Sequence, residues 1–320
     1  MVLEPIDFVV TWVDDSDPAW QARKERAVEE EDCYTAYDVR YREWGLFKYW
    51  FRAVEAYAPW VNKIYLVTEG HLPEWLDTNH EKLVHVRHED IIDSKYLPTF
   101  NTNVIELNLS KIPGLSERFV LFNDDVYLNA KVDETYFFEG NLPVDILREQ
   151  VVDPVHGPFS SMLMMNLYIV NKKFRKDKIT GEIKDRDLLS DSGDPILGLY
   201  SHHGPVAYRR SIYDFVTQDF AAFNVRETLK SKFREAGNLT SWVVRYWQLC
   251  SGQFVDRWAY TGRLFNIESN KEAALAALQD PAIKTVCIND QGVISDMHAL
   301  QADYQSAFEA KFPDQSSFEL

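Results

Sequence analysis

The most constraining stretch of this sequence is an apolar run that ends in two adjacent carboxylates. Residues 118–122 have the β-branched and aromatic character of a buried strand, and the chain continues directly into Asn123-Asp124-Asp125. Neighbouring carboxylates near a core repel each other, so they must be paired, solvated or bound to a cation. Asn and Asp are also common in turns, so the tripeptide alone fits a polar hairpin turn equally well.

Segments typical of strands alternate with segments typical of helices. Strands are predicted at 6–13, 63–68, 83–86, 118–122 and 285–288, and helices at 19–31, 42–58, 103–111, 210–223, 240–250 and 271–279. This alternation predicts an α/β fold with a mostly parallel sheet covered by helices on both faces. Residues 137–147 are typical of a loop. We expect one domain over residues 1–320, with 129–200 as an insert or lid.

Composition narrows the function classes. The formal net charge of −16 argues against general nucleic-acid binding. The cysteines at 33, 250 and 287 are odd in number and lack metal-binding spacing, which fits a reducing compartment. No signal peptide is visible, and the apolar run 162–170 is too short to span a bilayer. We therefore expect a cytoplasmic protein, with peripheral contact at the inner face of a bacterial membrane left open.

Acidic clusters follow the predicted strands at 14–17, 123–125 and 289–290. The carboxyl ends of parallel strands meet at one edge of a sheet, so these clusters can converge on one site. Such an acidic site needs a cation before it can hold a phosphorylated substrate, and oxygen ligands suit Mg²⁺ or Mn²⁺. The sequence contains neither GxxxxGK[ST] nor GxGxxG, which weakens kinase, NTPase and dinucleotide-binding hypotheses.

Two further segments carry groups suited to phosphate chemistry. His203 lies in a His-Gly-Pro loop and is the best general-base candidate, because imidazole titrates near neutrality. A histidine with only a structural role is the alternative. Residues 231–234 end in Arg234, whose guanidinium can bind phosphate oxygens bidentately. The alternative for this segment is an ordinary surface helix.

Together these motifs resemble the Stealth family of hexose-1-phosphate transferases, which includes bacterial capsule and exopolysaccharide enzymes and the animal N-acetylglucosamine-1-phosphotransferase. The resemblance covers nearly the whole chain. It is carried by four blocks: 6–18; 51–125, with its Leu-Pro-Thr-Phe-Asn and Asn-Asp-Asp motifs; 203–205 with 231–234; and 287–290 with 312–319. Asp15 stands where the family usually has glycine. The second block is the most specific.

The resemblance implies a GT-A or Rossmann-like core and a nucleotide-sugar donor, such as UDP-GlcNAc or UDP-Gal. Hexose-1-phosphate would move to a hydroxyl of an oligosaccharide or polysaccharide acceptor, with release of UMP. One alternative is a conventional GT-A glycosyltransferase that releases UDP. The other is a non-catalytic carbohydrate-binding protein. The sequence does not define the oligomeric state.

The resemblance also implies roles for individual residues. His203 would deprotonate the acceptor hydroxyl, Arg234 would stabilise the transferring phosphoryl group, and Asp125 would serve both catalysis and metal binding. The implied metal ligands for Mg²⁺ or Mn²⁺ are Asp124, Asp125 and Asp290. The implied substrate contacts are Thr11, Trp12 and Asp14 around the nucleotide, Asn101, Asn103 and Glu106 on the donor sugar, and Asn123 at the strand end.

Overall fold

The structure is a computed structural model that describes residues 4–31, 38–153, 157–175, 194–257, 262–290 and 292–320. Its strands are β1 (Ile6–Thr11), β2 (Ile64–Thr68), β3 (Leu83–Arg87), β4 (Arg118–Asn123), β5 (Val126–Leu128), β6 (Phe138–Glu139), β7 (Leu142–Asp145), β8 (Val206–Arg209), β9 (Val255–Asp256), β10 (Gly262–Asn266) and β11 (Thr285–Asn289). Its helices are α1 (Pro18–Glu31), α2 (Phe47–Tyr57), α3 (His88–Ile91), α4 (Thr102–Glu106), α5 (Gly157–Val170), α6 (Arg210–Phe215), α7 (Ala222–Thr228), α8 (Trp242–Cys250), α9 (Lys271–Leu278) and α10 (Met297–Lys311).

The main sheet has the strand order β3-β2-β1-β4-β8. The first four strands are parallel, and β8 runs antiparallel to β4. Thr11 at the end of β1 pairs with Val67 on one side and Asn123 on the other, so the carboxyl ends of these strands are level. The predicted α/β class and the mostly parallel sheet are confirmed. Ligands of open α/β sheets bind at this edge.

Helices cover both faces of the main sheet. Successive residues of β1 alternate between two cores, because side chains of a strand point to opposite faces: Phe8 packs in one core and Val9 in the other. On the first face, the Trp50 ring of α2 lies 5.5 Å from that of Phe122. On the second face, α8 buries Tyr246. Each such side chain contributes roughly 1.5–3 kcal/mol by its burial.

Two small sheets complete the architecture, with the orders β10-β11-β5 and β6-β7-β9. The turn at residues 123–125, called here the acidic turn, connects β4 of the main sheet to β5, and β5 pairs antiparallel with β11. The amide of Ile288 donates to the carbonyl of Asp125 at 2.9 Å. This pairing brings the 289–290 acidic segment beside the acidic turn.

A buried ion pair joins α2 to the segment that follows α10. Arg52 is 5 % exposed and donates to both carboxylate oxygens of Glu319, at 2.8 Å each. The same guanidinium donates to the carbonyl of Phe312 at 2.7 Å. Residues 312–319 therefore pack against the first helix layer of the main sheet.

Several element boundaries differ from the sequence-based expectations. Helix α2 begins at Phe47 rather than at residue 42, since Gly45 has φ of +68°, outside the helical region. The predicted 103–111 helix ends at Glu106 and resumes only as a 3₁₀ turn, Leu109–Lys111. The loop expected at 137–147 instead contains β6 and β7, which are too short to show period-two alternation.

The predicted insert at 129–200 is described in part. Residues 154–156 and 176–193 lie outside the described ranges. Of the remainder, β7 pairs with β9 and α5 packs against α8, so both contact elements from later in the chain. The division into one domain with a lid stays a prediction. Among the described helices, none combines the length and apolarity needed to cross a bilayer.

Candidate active site

A cavity of about 1020 Å³ runs along the carboxyl edge of the main sheet, from His88 after β3 to Val206 of β8. A volume of this size accommodates a nucleotide sugar together with part of a second substrate. Most of the predicted site residues line it: Thr11, Trp12, Asn103, Glu106, Asn123, Asp124, Asp125, His203, Arg234 and Asp290. The fold thus brings together side chains that are up to about 280 positions apart in sequence.

The 14–17 segment does not contribute carboxylates to the cavity lining. Asp14 accepts from the amide of Ser16 at 2.8 Å, and Asp17 accepts from the amide of Trp20 at 2.6 Å. Asp17 thereby satisfies a free N–H group in the first turn of α1, as N-terminal Asp residues commonly do. The convergence predicted for three acidic clusters therefore holds for two of them.

Asp124 and Asp125 form the acidic centre of the cavity. Burial and the neighbouring Asp125 carboxylate raise the pKa of Asp124 to about 8. Asn289 donates to Asp125 Oδ2 at 2.9 Å, and the thiol of Cys287 lies 3.5 Å from the same oxygen. Burial raises the pKa of Asp125 despite these two hydrogen bonds. Two such carboxylates concentrate negative charge that a cation or a proton must compensate.

Asp290 approaches from the other side and is already paired. Arg42 donates to Asp290 Oδ2 at 2.6 Å, and Trp44 Nε1 donates to the same oxygen at 3.2 Å. Burial raises the pKa of Asp290, and Arg42 opposes that shift. Residues 42–44 are therefore fixed at the cavity wall by hydrogen bonds to Asp290, which is also a predicted metal ligand.

Two buried carboxylate oxygens at this edge are of the type that divalent cations bind. Asp125 Oδ1 and Asp290 Oδ1 are buried, and within the described ranges neither has a hydrogen-bond partner. Carboxylate oxygens are the ligands that Mg²⁺ and Mn²⁺ prefer. As the side chains stand, the described part of the chain contains no group of three or more His, Cys, Asp or Glu close enough to share an ion. Asp124 and Asp125 are adjacent, whereas Asp290 stands apart with Arg42.

His203 faces the cavity from the loop before β8. The surrounding protein lowers the pKa of its imidazole below the usual 6.5, and the nearby Asp125 carboxylate only partly offsets this effect. The ring lies 6.2 Å, centroid to centroid, from that of Phe159 on α5. A neutral imidazole at neutral pH can accept a proton, which is what a general base must do.

Arg234 places a guanidinium at the cavity wall. Across the described residues it has no salt bridge or side-chain hydrogen bond, and it lines the cavity near Glu106, whose charged form it favours. A guanidinium that is not held in an ion pair is suited to bind an anionic ligand.

Asn101 holds the turn that carries Arg234. Its side chain is fully buried, and its Nδ2 donates to the carbonyls of Ser231 and Phe233 at 3.2 and 3.0 Å and to Asn238 Oδ1 at 2.8 Å. Its Oδ1 accepts from the amide of Asn103 at 3.1 Å. The predicted contact between Asn101 and a donor sugar does not fit this arrangement, because the amide is fully engaged within the protein.

Asn103 and Glu106 of α4 remain at the cavity wall. Asn103 Nδ2 contacts Met162 Sδ at 3.0 Å, and the hydroxyl of Ser241 donates to Glu106 Oε2 at 2.6 Å. Burial raises the pKa of Glu106. These groups present polar atoms between α4 and α8, where a substrate hydroxyl can be bound.

Trp12 occupies the part of the cavity beyond Thr11. Its ring stacks on Phe47 at 5.7 Å between centroids, and its Nε1 has no hydrogen-bond partner among the described residues. Thr11 pairs in register with Asn123, so Trp12 lies one residue beyond that pair, beside the acidic turn. This position is compatible with the predicted nucleotide contact.

Several lining residues were not predicted from the sequence. Arg42, Glu43 and Trp44 come from a segment expected to be helical, but the helix begins only after Gly45, whose φ is positive, and Asp290 holds Arg42 and Trp44 at the cavity. His88 is 7 % exposed, and burial lowers its pKa to about 3. Nothing in the local sequence of His88 distinguishes it from a core histidine. Only its position directly after β3, at the ligand-binding edge of an α/β sheet, indicates that it could line the site.

Two family models match the chain. Stealth protein conserved region 1 matches residues 4–32, and Stealth protein conserved region 2 matches residues 40–144. The second region includes Arg42, Asn101 and the acidic turn. The described part of the cavity is therefore built largely from these two regions, with His203, Arg234 and Asp290 added from later in the chain.

Full-length relatives are also found. The chain is 43% identical to capsular polysaccharide phosphotransferase WcwK of Streptococcus pneumoniae, over 99% of this chain and 98% of the relative. It is 38% identical to receptor polysaccharide phosphotransferase WefC of Streptococcus oralis, over 99% and 100%. It is 37% identical to exopolysaccharide phosphotransferase cps2G of Lactiplantibacillus plantarum, over 98% and 96%.

Among solved structures, the galactosyltransferase LgtC aligns with 97% of this chain and 98% of its own, at 11% identity and a TM-score of 0.42. The glycosyltransferase GlyE of Streptococcus pneumoniae aligns with 98% of this chain and 64% of its own, at 12% identity and a TM-score of 0.41. The strand order and the cavity described above do not depend on these distant similarities.

Proposed function

The chain belongs to the Stealth family of polysaccharide phosphotransferases, and from this premise we propose that it transfers hexose-1-phosphate from a UDP-hexose to a sugar hydroxyl of a cell-surface polysaccharide. The observation that carries the proposal is the shared cavity. It combines an acidic turn, a free arginine and a neutral histidine on one sheet edge. Phosphoryl transfer needs compensation of charge, alignment of the reacting groups and a proton acceptor, and these residues supply all three.

In the proposed reaction, the acceptor hydroxyl attacks the phosphorus that carries the hexose. A new oxygen–phosphorus bond forms, the bond to the UMP oxygen breaks, and UMP leaves. His203 accepts the hydroxyl proton as the oxygen bonds to phosphorus. Arg234 provides guanidinium donors for the charged phosphoryl oxygens. The anomeric carbon keeps its bond to oxygen, so the product is a phosphodiester.

Asp124, Asp125 and Asp290 are the residues that would hold Mg²⁺ or Mn²⁺. When bound, the ion would neutralise charge on the diphosphate. The unpartnered buried oxygens of Asp125 and Asp290 support this assignment. Thr11, Trp12 and Asn123 would bind the nucleotide part of the donor, and Asn103 and Glu106 would bind hydroxyls of the sugar. Asp14 and Asn101 would contribute indirectly. Asp14 fixes the backbone at Ser16, and Asn101 fixes the backbone at Ser231 and Phe233, next to Arg234.

Identification of the released nucleotide tests the proposal. The purified protein is incubated with UDP-GlcNAc or UDP-Gal, Mg²⁺ and an oligosaccharide acceptor. We expect UMP, together with a phosphodiester signal in the phosphorus NMR spectrum of the product. Release of UDP with formation of a glycosidic bond would instead establish a conventional glycosyltransferase. The matched control is His203→Ala, which should bind the donor with unchanged affinity but release little UMP.

A further inference from the structure

A buried positive charge lies behind the loop that carries His203. Arg245 of α8 is fully buried, and its Nε and Nη2 donate to the two carboxylate oxygens of Asp145 at 2.8 Å each. Removing two charges from water carries a penalty of several kcal/mol per ion, which their mutual attraction only partly offsets. Apolar residues of similar volume could fill such a core site at no loss of stability, so burial alone does not account for this pair.

The pair reaches the loop at two points. Arg245 Nη1 donates to the carbonyl of Tyr200 at 2.9 Å, and Asp145 Oδ1 lies 3.4 Å from Nε2 of His202. Burial would raise the pKa of Asp145, but Arg245 and His202 lower it below its usual range. Burial also lowers the pKa of His202, so its neutral ring can donate to the carboxylate. Both contacts lie within three residues of His203.

The loop has open space on two sides. His203 and Gly204 line the large cavity, whereas His202 and Pro205 line a second cavity of about 350 Å³. Val206 lines both. His202 is buried while His203 beside it is exposed to the large cavity, so the position of the His203 ring depends on how the His202 side is held. The hydrogen bonds from Arg245 and Asp145 are therefore important restraints on this loop.

We propose that Asp145, Arg245 and His202 are positioning residues for His203, a role that rests on the proposed function of His203 as general base. Arg245 fixes the backbone at Tyr200, and Asp145 fixes the side chain adjacent to His203. A general base must lie within hydrogen-bond reach of the proton it accepts, and a misplacement of ~1 Å can lower the rate by about 10²-fold. The network touches no substrate and acts only through the loop.

The test uses variants that leave the buried ion pair intact. His202→Leu removes the ring donor, and His202→Gln retains an N–H that can reach Asp145. For His202→Leu we expect kcat to fall by about 10–100-fold, as for other residues that orient a reactive group, with the KM for the UDP-sugar unchanged. His202→Gln should recover most of this loss. Equal kcat values for wild type and His202→Leu would overturn the proposal.

A double-mutant cycle with His203→Ala separates positioning from general damage. If the network acts through His203, His202→Leu should have no further effect in the His203→Ala background. Multiplicative losses would overturn the proposal. Asp145→Asn is tested in the same cycle. Its matched control is Glu319→Gln, which also breaks a buried arginine pair but lies away from the cavity and should leave kcat unchanged.

The position of His203 can also be measured without turnover. In histidine-labelled protein, the ring signals of His203 should shift and broaden in His202→Leu but not in Glu319→Gln. Unchanged His203 signals would overturn the positioning role even if the protein proved to catalyse another reaction. Altered His203 signals without UMP release from the wild type would contradict the proposed function and leave the positioning role supported.

Discussion

His203 faces the cavity with a pKa below 6.5, because the protein around the ring disfavours its charged form more strongly than Asp125 favours it. A general base must be neutral, so activity should be lost as pH falls through the pKa of His203. We expect the acidic limb of a plot of log kcat/KM against pH to have its midpoint below 6.5, with no histidine-dependent change above that value. Residual activity of His203→Ala should lack this limb. A midpoint above 6.5 would contradict the assignment.

The buried His88 should make the free energy of unfolding depend on pH. Its pKa is lowered from 6.5 to about 3 by burial, so between these values the unfolded chain binds a proton that the folded protein does not. Stability should therefore fall as pH decreases from 6.5. At pH 4.5 the contribution is roughly 3 kcal/mol. Urea unfolding measures the free energy of unfolding at pH 7 and at pH 4.5. The decrease between these two values should be smaller in His88→Asn than in the wild type, by about that amount. An unchanged difference would mean that the folded protein also protonates His88.

Single residues also mark the limit of sequence-based inference. The acidic turn, His203 and Arg234 could be predicted because their chemistry is unusual at a strand end or in a glycine-proline loop. The nucleotide contact of Asp14 stays a prediction: its carboxylate accepts from the amide of Ser16, and an Asp that binds a neighbouring amide has the same local sequence as one that faces a cavity. Arg42 could not be predicted, because its place depends on a backbone turn at Gly45 and on Asp290 far along the chain.

At the scale of elements, Asn101 connects α4 to the turn that carries Arg234. Asn101→Ala leaves the carbonyls of Ser231 and Phe233 without their buried donor. We expect a loss of about 2–4 kcal/mol in the free energy of unfolding and a marked rise in the KM for the UDP-sugar.

The matched control is Asn129→Ala. Asn129 is equally buried, and its Nδ2 donates to the carbonyls of Ala277, Asp280 and Ile283, away from the cavity. It should cause a similar loss of stability without a change in KM. If both variants change KM equally, Asn101 has no specific role in placing Arg234.

Elements with a clear period were predicted well, and those without one were missed. β1, β2, β3, β4 and β11 follow from β-branched runs bounded by polar turns. α5 could not be recognised, because it is apolar on nearly every side and shows no amphipathic repeat. β7 pairs with β9 more than a hundred residues later, and the two-residue strand β6 pairs with β7. Short strands of this kind are specified by tertiary contacts rather than by local preference.

At the scale of the whole molecule, we expect activity to depend on a bound metal ion and the stability of the fold to depend on it little, in part because Arg42 pairs with Asp290. Chelation with EDTA should abolish UMP release, and Mg²⁺ should restore it. The thermal midpoint should change little, because Arg42 already pairs with Asp290 and the raised pKa of Asp124 lets a proton replace the cation beside Asp125. Full turnover in EDTA would contradict the metal assignment. A large loss of thermal stability would contradict the role given to Arg42.

The acidic turn joins two sheets whose registers are set independently. β4 is fixed by β1 and β8, and β5 is fixed by β11. An ordinary hairpin tip absorbs an inserted residue by bulging into solvent, but this turn has a sheet on each side. One added residue that slipped β5 along β11 would reverse the faces of Val126, Tyr127 and Leu128. The number of residues between β4 and β5 is therefore constrained as strictly as the identity of the aspartates. Insertions and deletions should be rare in this turn among related sequences.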